Sequence, residues 1–392
     1  MRTQVGIIGC GPAGLFLAHL LHRMGIECVI LENRSRQYVE ERVRAGVLES
    51  GTVDVMEQLG LAERMKRERM IDEGLDIRFN GKLIQLPFNE LAGGRHVTIY
   101  GQQEVVKDLI AARLNDGGQI LFEADALGVD DIETRNPKIR FRQNGKDDVL
   151  ECDFVAGCDG FYGVSRPAMP KSVLVEYDRE YSFAWFGILS HSPPIKEMTY
   201  SNNERGYALC SRRSTKVSRH YIQVPSDTDP ESWSDAQFWD ELHKRMYDND
   251  KSEIAEGEIF QKNVAPLRSF VASPMQHGRL FLAGDAVHIV PPTGAKGLNL
   301  AVADVRVLSL GLEEFYKKGK MDRLNRYSEV CLRRVWKTIR FSNYMTNLLH
   351  RFPEHTPFDR QLQLAELEYL SNSRAAGATI AENYVGLPFE DS

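Results

Sequence analysis

Residues 5–14 read Val-Gly-Ile-Ile-Gly-Cys-Gly-Pro-Ala-Gly, and this stretch decides the fold of the chain. The apolar run before Gly9 predicts a buried strand, and the apolar residues from Gly14 to Met24 recur at helical spacing. A second apolar run, residues 28–31, ends at Glu32. We therefore predict a strand–helix–strand unit of about 30 residues, which favours a parallel sheet.

The three glycines of this stretch have the spacing of a dinucleotide-binding turn. Gly9 permits the tight turn, Gly11 lets a pyrophosphate approach the backbone, and Gly14 lets the helix pack on the strand. The free N–H groups at the start of the helix favour an anion. Glu32 stands at the end of the second strand, where its carboxylate can accept hydrogen bonds from ribose hydroxyls. We predict an adenine dinucleotide here; the alternative is an ordinary glycine-rich turn.

Composition excludes several classes of protein. The 392 residues predict roughly two to three domains. Against 49 basic side chains stand 55 acidic ones, so the net charge of −6 gives no field that would attract nucleic acid. No apolar run approaches the roughly 18 residues that a membrane helix needs, and the N-terminus does not resemble a signal peptide. The six cysteines are scattered, which indicates a reducing, cytoplasmic compartment, and we expect no metal site.

The rest of the chain alternates between strand-like and helical patterns. Hairpins are predicted around Asn80-Gly81 and Asn144-Gly145, and the alternation over residues 181–224 is typical of strands. Another strand is predicted at 279–283, and the sequence after Gly297 is mainly helical to about residue 371.

Two further segments carry acidic residues beside glycines. Cys158-Asp159-Gly160 follows a predicted strand, although an Asp-Gly turn that simply closes the strand is the plainer interpretation. Gly284-Asp285 follows the strand at 279–283 and precedes a loop rich in glycine and proline, with a helix beginning near Gly297. Asp285 could bind a second polyol, and the helix N-terminus could stabilise negative charge on a bound ring.

In this order, the GxGxxG, DG and GD segments resemble those of the flavoprotein aromatic hydroxylases. The resemblance is most detailed to the group in that family that hydroxylates 4-hydroxybenzoate, and it runs from the first strand to the last residues. It is carried by residues 42–49, 207–211, 266–270 and 381–388.

The resemblance implies an α/β fold. A Rossmann-like FAD-binding domain would contain the three segments, with an inserted, mostly antiparallel β domain for the substrate and a C-terminal helical region. We predict an FAD-binding domain of residues 1–72, 97–180 and 268–330, a substrate domain of 73–96 and 181–267, and a helical or interface region of 331–392.

The resemblance also implies an activity. Noncovalently bound FAD would be reduced by NADPH in preference to NADH, and oxygen would then form a flavin hydroperoxide. Hydroxylation of 4-hydroxybenzoate at position 3 would give 3,4-dihydroxybenzoate. The partners implied are this aromatic acid, O2 and the reduced nicotinamide, with a second copy of the chain in a homodimer and neither nucleic acid nor membrane.

Site residues are assigned by the same resemblance. A benzoate carboxylate needs a planar cation, and Arg213 offers the two-pronged guanidinium that Lys lacks, although a solvated charge is the alternative from the residues alone. Substrate contacts are predicted at Tyr200, Ser211, Arg213, Tyr221 and Pro292, and catalytic roles at Tyr200, Tyr384, Pro292, Arg219 and Asn299. Tyr200 would bind the phenol oxygen and Tyr384 would relay its proton.

Cofactor contacts form the largest predicted set. For FAD they are Gly9, Gly11, Ala13, Gly14, Glu32, Arg42, Arg44, Ala45, Gly46, Val47, Gln102, Asp159, Asp285, Thr293, Lys296, Gly297, Leu298 and Asn299. For the reduced nicotinamide they are Asn33, Arg34, Tyr38, Arg42, Arg44, Tyr162, Arg166 and Arg268.

Three residues depart from the family pattern. Asp72 stands where well-known members have a histidine that ends the proton relay, Tyr162 replaces another histidine, and Asn33 replaces an arginine. Asp72 would either end the relay through water or leave proton release to another route, and the differences at Tyr162 and Asn33 leave the preference between NADPH and NADH open. Two alternative functions also stay open: a related hydroxylase of another phenolic or aminobenzoic acid, and a flavin-binding redox sensor without catalysis.

Overall fold

The computed structural model describes residues 1–44, 46–247 and 253–391, and all statements on structure concern these residues. Its strands are β1 (Val5–Ile8), β2 (Cys28–Glu32), β3 (Val47–Leu48), β4 (Met70–Asp72), β5 (Gly74–Phe79), β6 (Lys82–Pro87), β7 (Val97–Ile99), β8 (Gln119–Phe122), β9 (Ala124–Asp130), β10 (Lys138–Gln143), β11 (Lys146–Glu151), β12 (Phe154–Gly157), β13 (Val175–His191), β14 (Met198–Asn202), β15 (Ala208–Arg212), β16 (Ser218–Pro225), β17 (Glu258–Ser273), β18 (Gln276–His277), β19 (Leu280–Leu282) and β20 (His288–Ile289).

The helices alternate with these strands at first and then dominate the C-terminal part. They are α1 (Pro12–Arg23), α2 (Arg36–Glu41), α3 (Ser50–Leu59), α4 (Glu63–Glu68), α5 (Phe88–Leu91), α6 (Gln102–Asn115), α7 (Asp235–Tyr247), α8 (Gly297–Lys318), α9 (Asp322–Asn325), α10 (Tyr327–Leu349), α11 (Pro357–Asn372) and α12 (Arg374–Val385). No helix in the described ranges is long and apolar enough to cross a membrane.

A six-stranded sheet, ordered β18-β19-β12-β1-β2-β8, contains the predicted strand–helix–strand unit. Strands β1, β2 and β12 are buried along their whole length, as expected of parallel strands covered on both faces. Because β1, β12 and β19 run parallel, the GxGxxG, DG and GD segments that follow them meet at one edge of the sheet. This carboxyl edge is where open α/β sheets bind ligands.

An eight-stranded sheet, ordered β20-β17-β13-β16-β15-β14-β5-β6, is antiparallel except where β14 pairs with β5. Both predicted hairpins are confirmed. At their turns Asn80 has φ 46° with Gly81 at 70°, and Asn144 has 51° with Gly145 at 73°, the left-handed conformations that a two-residue hairpin turn requires. Helices α10, α11 and α12 pack against this sheet around a shared apolar core.

Two long strands of the eight-stranded sheet cross the predicted domain boundaries. β13 runs without interruption across the predicted domain boundary at 180/181, and β17 does the same at 267/268. Helix α10 likewise spans the boundary at 330/331. The division into domains therefore stays a prediction, with its boundaries inside continuous elements.

Candidate functional site

The glycine turn after β1 leaves an open space at the N-terminus of α1. A Cβ at Gly14 would stand 2.1 Å from the carbonyl oxygen of Gly9, so helix and turn touch by backbone. Gly9 itself has φ 104°, a conformation that favours glycine. At Gly11, by contrast, no atom lies within 4 Å of a Cβ position, and no side chain caps the helix. The backbone N–H groups in the first turn of α1 therefore remain available to an anion, and we call this place the cradle.

Glu32 lies beside this cradle and joins the ends of two strands. Its Oε2 accepts a hydrogen bond from the Cys10 N–H at 2.8 Å, and its Oε1 accepts from the Arg34 N–H at 2.9 Å. Each carboxylate oxygen has a further lone pair, so the group can also accept from a hydroxyl. The geometry fits the predicted ribose contact.

The two predicted aspartates at the sheet edge differ in their surroundings. Asp159 is turned inward, where its Oδ2 accepts from the N–H and hydroxyl of Ser165 at 2.9 and 2.8 Å. Burial raises the pKa of the Asp159 carboxyl. The Asp285 side chain is exposed although the residues on both sides of it are buried. Asp285 is therefore the carboxylate that is presented at this edge, whereas Asp159 supports the turn.

A buried ion pair holds the turn that carries Asp285. Asp304 Oδ2 accepts from the Gly284 N–H at 3.0 Å and lies 2.6 Å from His288 Nε2. Arg166 donates to the carbonyl oxygen of Ala286 at 2.9 Å from the other side. Although burial lowers the pKa of His288, the carboxylate of Asp304 outweighs it, and the pKa is raised above its usual value. His288 and Asp304 thus form a charged pair.

We expect Asp304→Asn to lower the free energy of unfolding by about 3 kcal/mol at pH 6, because the charge on His288 loses its buried partner. Because the pKa of His288 is raised in the folded state, its interaction with Asp304 stabilises the fold fully below pH 6.5, the value for the unfolded chain. This stabilisation is lost as the pH rises through the pKa of the folded state. The difference from wild type should therefore shrink at higher pH in urea unfolding. Exposed Asp322→Asn serves as the control, and an equal loss at pH 6 and pH 9 would contradict the assigned charge.

One face of the eight-stranded sheet collects the residues predicted to contact the substrate. Tyr200 lies opposite Leu209, which lies opposite Tyr221, and paired residues share a face of the sheet. The adjacent row on this face contains Ser211 opposite Arg219. Side chains two residues apart point the same way, so the two rows form one continuous wall.

A pair of buried phenols stands at one end of this wall. The hydroxyls of Tyr200 and Tyr384 are 2.7 Å apart, and Tyr200 also donates to the carbonyl oxygen of Thr293 at 2.9 Å. Each tyrosine is 1% exposed, and burial raises the pKa of both. The carbonyl oxygen of Pro292, the predicted acceptor, receives the Ala295 N–H at 2.9 Å and has a second lone pair free.

Cations stand at the other end of the wall. Arg213 donates to the carbonyl oxygen of Arg44 at 2.5 Å and to Gln103 Oε1 at 2.8 Å, and it has no carboxylate partner in the described part of the chain. Burial, together with the nearby charge of Arg219, lowers the pKa of Arg213 to about 10. The Ser211 hydroxyl is close by and donates to the Arg219 carbonyl oxygen at 3.1 Å. Two neighbouring guanidinium groups that have no carboxylate partner within the described ranges have the charge and the donors to bind an organic anion.

A buried charge network lies next to the phenol pair, and of its three members only Lys296 is among the predicted site residues. Lys296 donates to Glu49 Oε1 at 2.6 Å and to the carbonyl oxygen of Tyr384 at 3.0 Å. Arg334 approaches Glu49 Oε2 at 3.4 Å and donates to the carbonyl oxygen of Leu387 at 3.0 Å. Glu49 lies in the stretch that carries the family resemblance, which was the only signal for it. The network fixes the segment that bears Tyr384.

Asn299 acts as a clamp in the first turn of α8. Its Nδ2 donates to the carbonyl oxygen of Val47 at 3.0 Å, and its Oδ1 accepts from the Glu49 N–H at 2.9 Å and from the Thr52 hydroxyl at 2.8 Å. The amide thus connects α8 with the residues before α3. These contacts hold residues 47–52 against the start of α8. The catalytic role of Asn299 stays a prediction.

Asp72, the departure from the family pattern, is fully buried and paired with Arg212. Arg212 also donates to the carbonyl oxygen of Ile71 at 2.9 Å. The hydroxyl of Tyr384 has its contacts with Tyr200 and the sulfur of Met198, and no direct hydrogen bond to Asp72 occurs among the described residues. A relay that ends on Asp72 therefore has no direct link in the structure.

The residues predicted for the nicotinamide form two groups. Exposed residues near α2 make up the first: Asn33, Arg34, Tyr38, Arg42 and Arg44. In the second, Tyr162 is 92% exposed, Arg166 is paired with Glu176 at 3.0 Å, and Arg268 Nε donates to Asp178 Oδ1 at 2.7 Å. Two of these arginines thus already hold carboxylates.

The predicted site residues not yet described lie in several different elements. Arg219 stands over the Tyr221 ring at 5.8 Å. A Cβ at Gly46 would stand 2.3 Å from the carbonyl oxygen of Tyr100, so the backbone is close-packed there. Ala13 is buried in α1, Val47 lies in β3, Gln102 begins α6, and Gly297 and Leu298 begin α8. Ala45 lies outside the described residues.

Comparisons with known proteins show which family the chain resembles. A family model described as an FAD binding domain matches residues 2–342. The p-hydroxybenzoate hydroxylase of Acinetobacter baylyi is 48% identical over 391 residues, which cover 100% of this chain and 96% of that protein. The 3-(3-hydroxy-phenyl)propionate/3-hydroxycinnamic acid hydroxylase of Mycobacterium avium is 25% identical over 77% of this chain and 53% of its own length.

A solved structure shares the fold along its whole length. p-Nitrophenol 4-monooxygenase PnpA from Pseudomonas putida DLL-E4 superposes with a TM-score of 0.82 at 19% identity and covers 98% of both chains. The family match and the full-length relative also confirm the fold class and the cofactor predicted from the sequence. The chain belongs to the FAD-binding family of flavin-dependent aromatic hydroxylases.

Proposed function

We propose that this flavin-dependent monooxygenase hydroxylates 4-hydroxybenzoate at position 3, giving 3,4-dihydroxybenzoate at the expense of NAD(P)H and O2. One observation carries the proposal: along one face of the eight-stranded sheet, guanidinium groups with no carboxylate partner among the described residues lie at one end, and Tyr200 with its partner Tyr384 from α12 lies at the other. These groups complement the carboxylate and the phenol of one para-substituted ring. The relative from Acinetobacter baylyi, a p-hydroxybenzoate hydroxylase, supports the same substrate.

At the carboxylate end, Arg213 would bind the anion with two parallel N–H donors. Its present partners, a backbone carbonyl oxygen and the amide oxygen of Gln103, are neutral acceptors that a carboxylate can replace. Ser211 and Tyr221 would add hydroxyl donors from the same wall. Binding an anion would also relieve the repulsion between Arg213 and Arg219.

At the phenol end, the Tyr200 hydroxyl would turn from the Thr293 carbonyl oxygen to the substrate oxygen. A proton leaving the substrate phenol would pass to the Tyr200 oxygen, Tyr200 would give its own proton to Tyr384 across the 2.7 Å contact, and Tyr384 would release its own proton to water. Hydrogen bonding to a developing phenolate makes the ring more electron-rich and ready for electrophilic attack. Because both tyrosines are uncharged, the pair does this without a fixed charge beside the ring.

FAD supplies the activated oxygen when it is bound. The open spaces at Gly11 and Gly297, each at the uncapped N-terminus of a helix, fit its pyrophosphate and its ring system. Glu32 and Asp285 offer carboxylates to the ribose and ribityl hydroxyls.

Gly11 and Gly14 give a direct test of the cradle. We expect Gly11→Ala to change the free energy of unfolding of the apoprotein by less than about 1 kcal/mol, because the new methyl group enters open space. The same methyl group would meet the pyrophosphate and raise the Kd for FAD at least tenfold, measured by quenching of flavin fluorescence. Gly14→Ala should instead destabilise the apoprotein by about 1–3 kcal/mol. Unchanged FAD binding in Gly11→Ala would remove the pyrophosphate from this turn.

For the reductant we propose NADPH in preference to NADH, with phosphate contacts from Arg34, Arg42 and Arg44. Arg166 and Arg268 are already engaged by Glu176 and Asp178, which reduces the positive charge that they offer to a 2′-phosphate. Values of kcat/KM for both coenzymes, measured with the aromatic acid present, decide the preference.

We further propose a homodimer, the predicted division into FAD, substrate and helical regions, and a cytoplasmic location. The state of association follows from light scattering of the holoenzyme at micromolar concentration. A mass near 44.5 kDa, that of one chain, would contradict the dimer.

The substrate is tested by oxidation of NAD(P)H in air. We expect 4-hydroxybenzoate to stimulate oxidation strongly and to yield a catechol. Stronger stimulation and product formation with another phenolic or aminobenzoic acid would reassign the substrate, and no stimulation by any of them would favour a flavin sensor.

A further inference from the structure

Tyr207 is a fully buried phenol in the wall of the proposed substrate site. It directly precedes β15, and its carbonyl oxygen accepts the Gln223 N–H at 2.9 Å, which continues the pairing of β15 with β16 by one step. It therefore shares a face with Leu209 and Ser211, two and four residues further on. Its row lies beyond the row of Tyr200, on the side away from Ser211.

The Tyr207 ring is held in one position by its neighbours. It stacks on His350 with ring centroids 4.1 Å apart and an interplanar angle of 19°, and on Trp185 at 4.9 Å and 17°. The polar groups of these neighbours are already paired: Trp185 Nε1 donates to His350 Nε2 at 2.7 Å, and His350 Nδ1 donates to the Thr346 carbonyl oxygen at 3.0 Å. Neither ring offers a partner to the tyrosine.

The Tyr207 hydroxyl is buried and has no hydrogen-bond partner among the described residues. The other tyrosines of this core differ, since Tyr200 and Tyr384 bond to each other and Tyr181 lies 3.2 Å from the Ser269 hydroxyl. Leaving a buried hydroxyl unpaired is costly, and such groups in native proteins are normally satisfied by protein, water or ligand.

The position of the hydroxyl indicates what would satisfy it. The Tyr207 ring is 6.0 Å from that of Tyr200, and Tyr200 and Tyr221 are its diagonal neighbours on the face. Burial, with the nearby phenols of Tyr200 and Tyr384, raises the pKa of Tyr207, so its O–H is a permanent donor. The Tyr207 row therefore lies on the far side of Tyr200 from the guanidinium groups, and in the proposed binding mode that is the end at which the substrate carries its para oxygen.

We propose that Tyr207 determines specificity by donating a hydrogen bond to the oxygen at the phenol end of the bound aromatic acid. The inference rests on the proposed function and adds to it a preference for acids that carry a para oxygen over those that carry none. A substrate without that oxygen leaves the hydroxyl unpaired and forfeits the bond.

The test compares two ligands in the holoenzyme of wild type, Tyr207→Phe and Tyr181→Phe by titration calorimetry. In Tyr207→Phe we expect the Kd for 4-hydroxybenzoate to rise about five- to tenfold and the Kd for benzoate to stay within twofold of wild type. The Tm without ligand should be unchanged or higher, because the unpaired hydroxyl is gone. In Tyr181→Phe, which loses a paired hydroxyl of the same core, the Tm should fall while both Kd values persist.

Three outcomes overturn the inference. Equal Kd values for 4-hydroxybenzoate in wild type and Tyr207→Phe would show that the hydroxyl does not contact this ligand. A parallel loss for both ligands would indicate a packing defect, and a lower Tm with an unchanged ratio of the two Kd values would indicate a buried water as the partner. If wild type itself fails to bind 4-hydroxybenzoate, the proposed substrate fails first, and the wild-type titration identifies that case.

Discussion

Arg213→Ala is expected to raise the KM for 4-hydroxybenzoate about 100-fold, equivalent to roughly 2.7 kcal/mol of lost binding. The guanidinium is largely desolvated and has only neutral acceptors, so a carboxylate would be its first acidic partner. Charge-assisted, two-pronged bonds of this kind are the strongest that a side chain makes with a carboxylate. Steady-state kinetics with saturating coenzyme measures the effect.

Two companion variants separate geometry from charge. Arg213→Lys keeps the charge and loses the planar fork, so its KM should fall between those of wild type and Arg213→Ala. Lys216→Ala removes an exposed cation of the same loop and should change KM less than twofold. A KM for Arg213→Ala close to that of Lys216→Ala would remove Arg213 from the carboxylate site.

Tyr200→Phe is expected to lower the rate of hydroxylation about 100-fold while the Kd for the aromatic acid changes less than about threefold. The variant keeps the ring in the core and loses the oxygen that joins the substrate phenol to Tyr384. Coenzyme oxidation should then exceed product formation, because reduced flavin continues to react with oxygen. The measurement is moles of 3,4-dihydroxybenzoate formed per mole of coenzyme consumed.

Tyr181→Phe is the matched control for this prediction as well. Its hydroxyl bonds to Ser269 and lies in the same apolar core, but not on the phenol pair. The yield of product per coenzyme should stay at the wild-type value in Tyr181→Phe. An unchanged yield in Tyr200→Phe would contradict its role in activating the phenol.

The glycine turn and its flanking strands could be predicted from the sequence because every determining residue lies within about 30 positions. The carboxyl edge followed from the same logic, since each acidic segment comes directly after a predicted strand. The spacing of residues in the sequence does not tell in which direction a side chain points. Asp159 and Asp285 look alike in sequence, yet Asp159 turns to Ser165 and Asp285 faces outward.

The residues at the substrate end of the site could be predicted only through the family resemblance. The partners Tyr200 and Tyr384 are 184 positions apart, and Lys296 and Glu49 are 247 apart. No local pattern connects such residues, because the sheet and the C-terminal helices bring them together. Tyr207 lies in a stretch that carries the family resemblance but was assigned no role, since a buried tyrosine in a strand pattern is ordinary until its hydroxyl is found without a partner among the described residues.

The central claim is tested most directly by the wild-type holoenzyme in air-saturated buffer with NADPH, or NADH, and 4-hydroxybenzoate. We expect the acid to accelerate coenzyme oxidation many-fold and to be converted to 3,4-dihydroxybenzoate at close to one mole per mole of coenzyme. Oxidation that is indifferent to 4-hydroxybenzoate, or that proceeds without a catechol product, would contradict the claim.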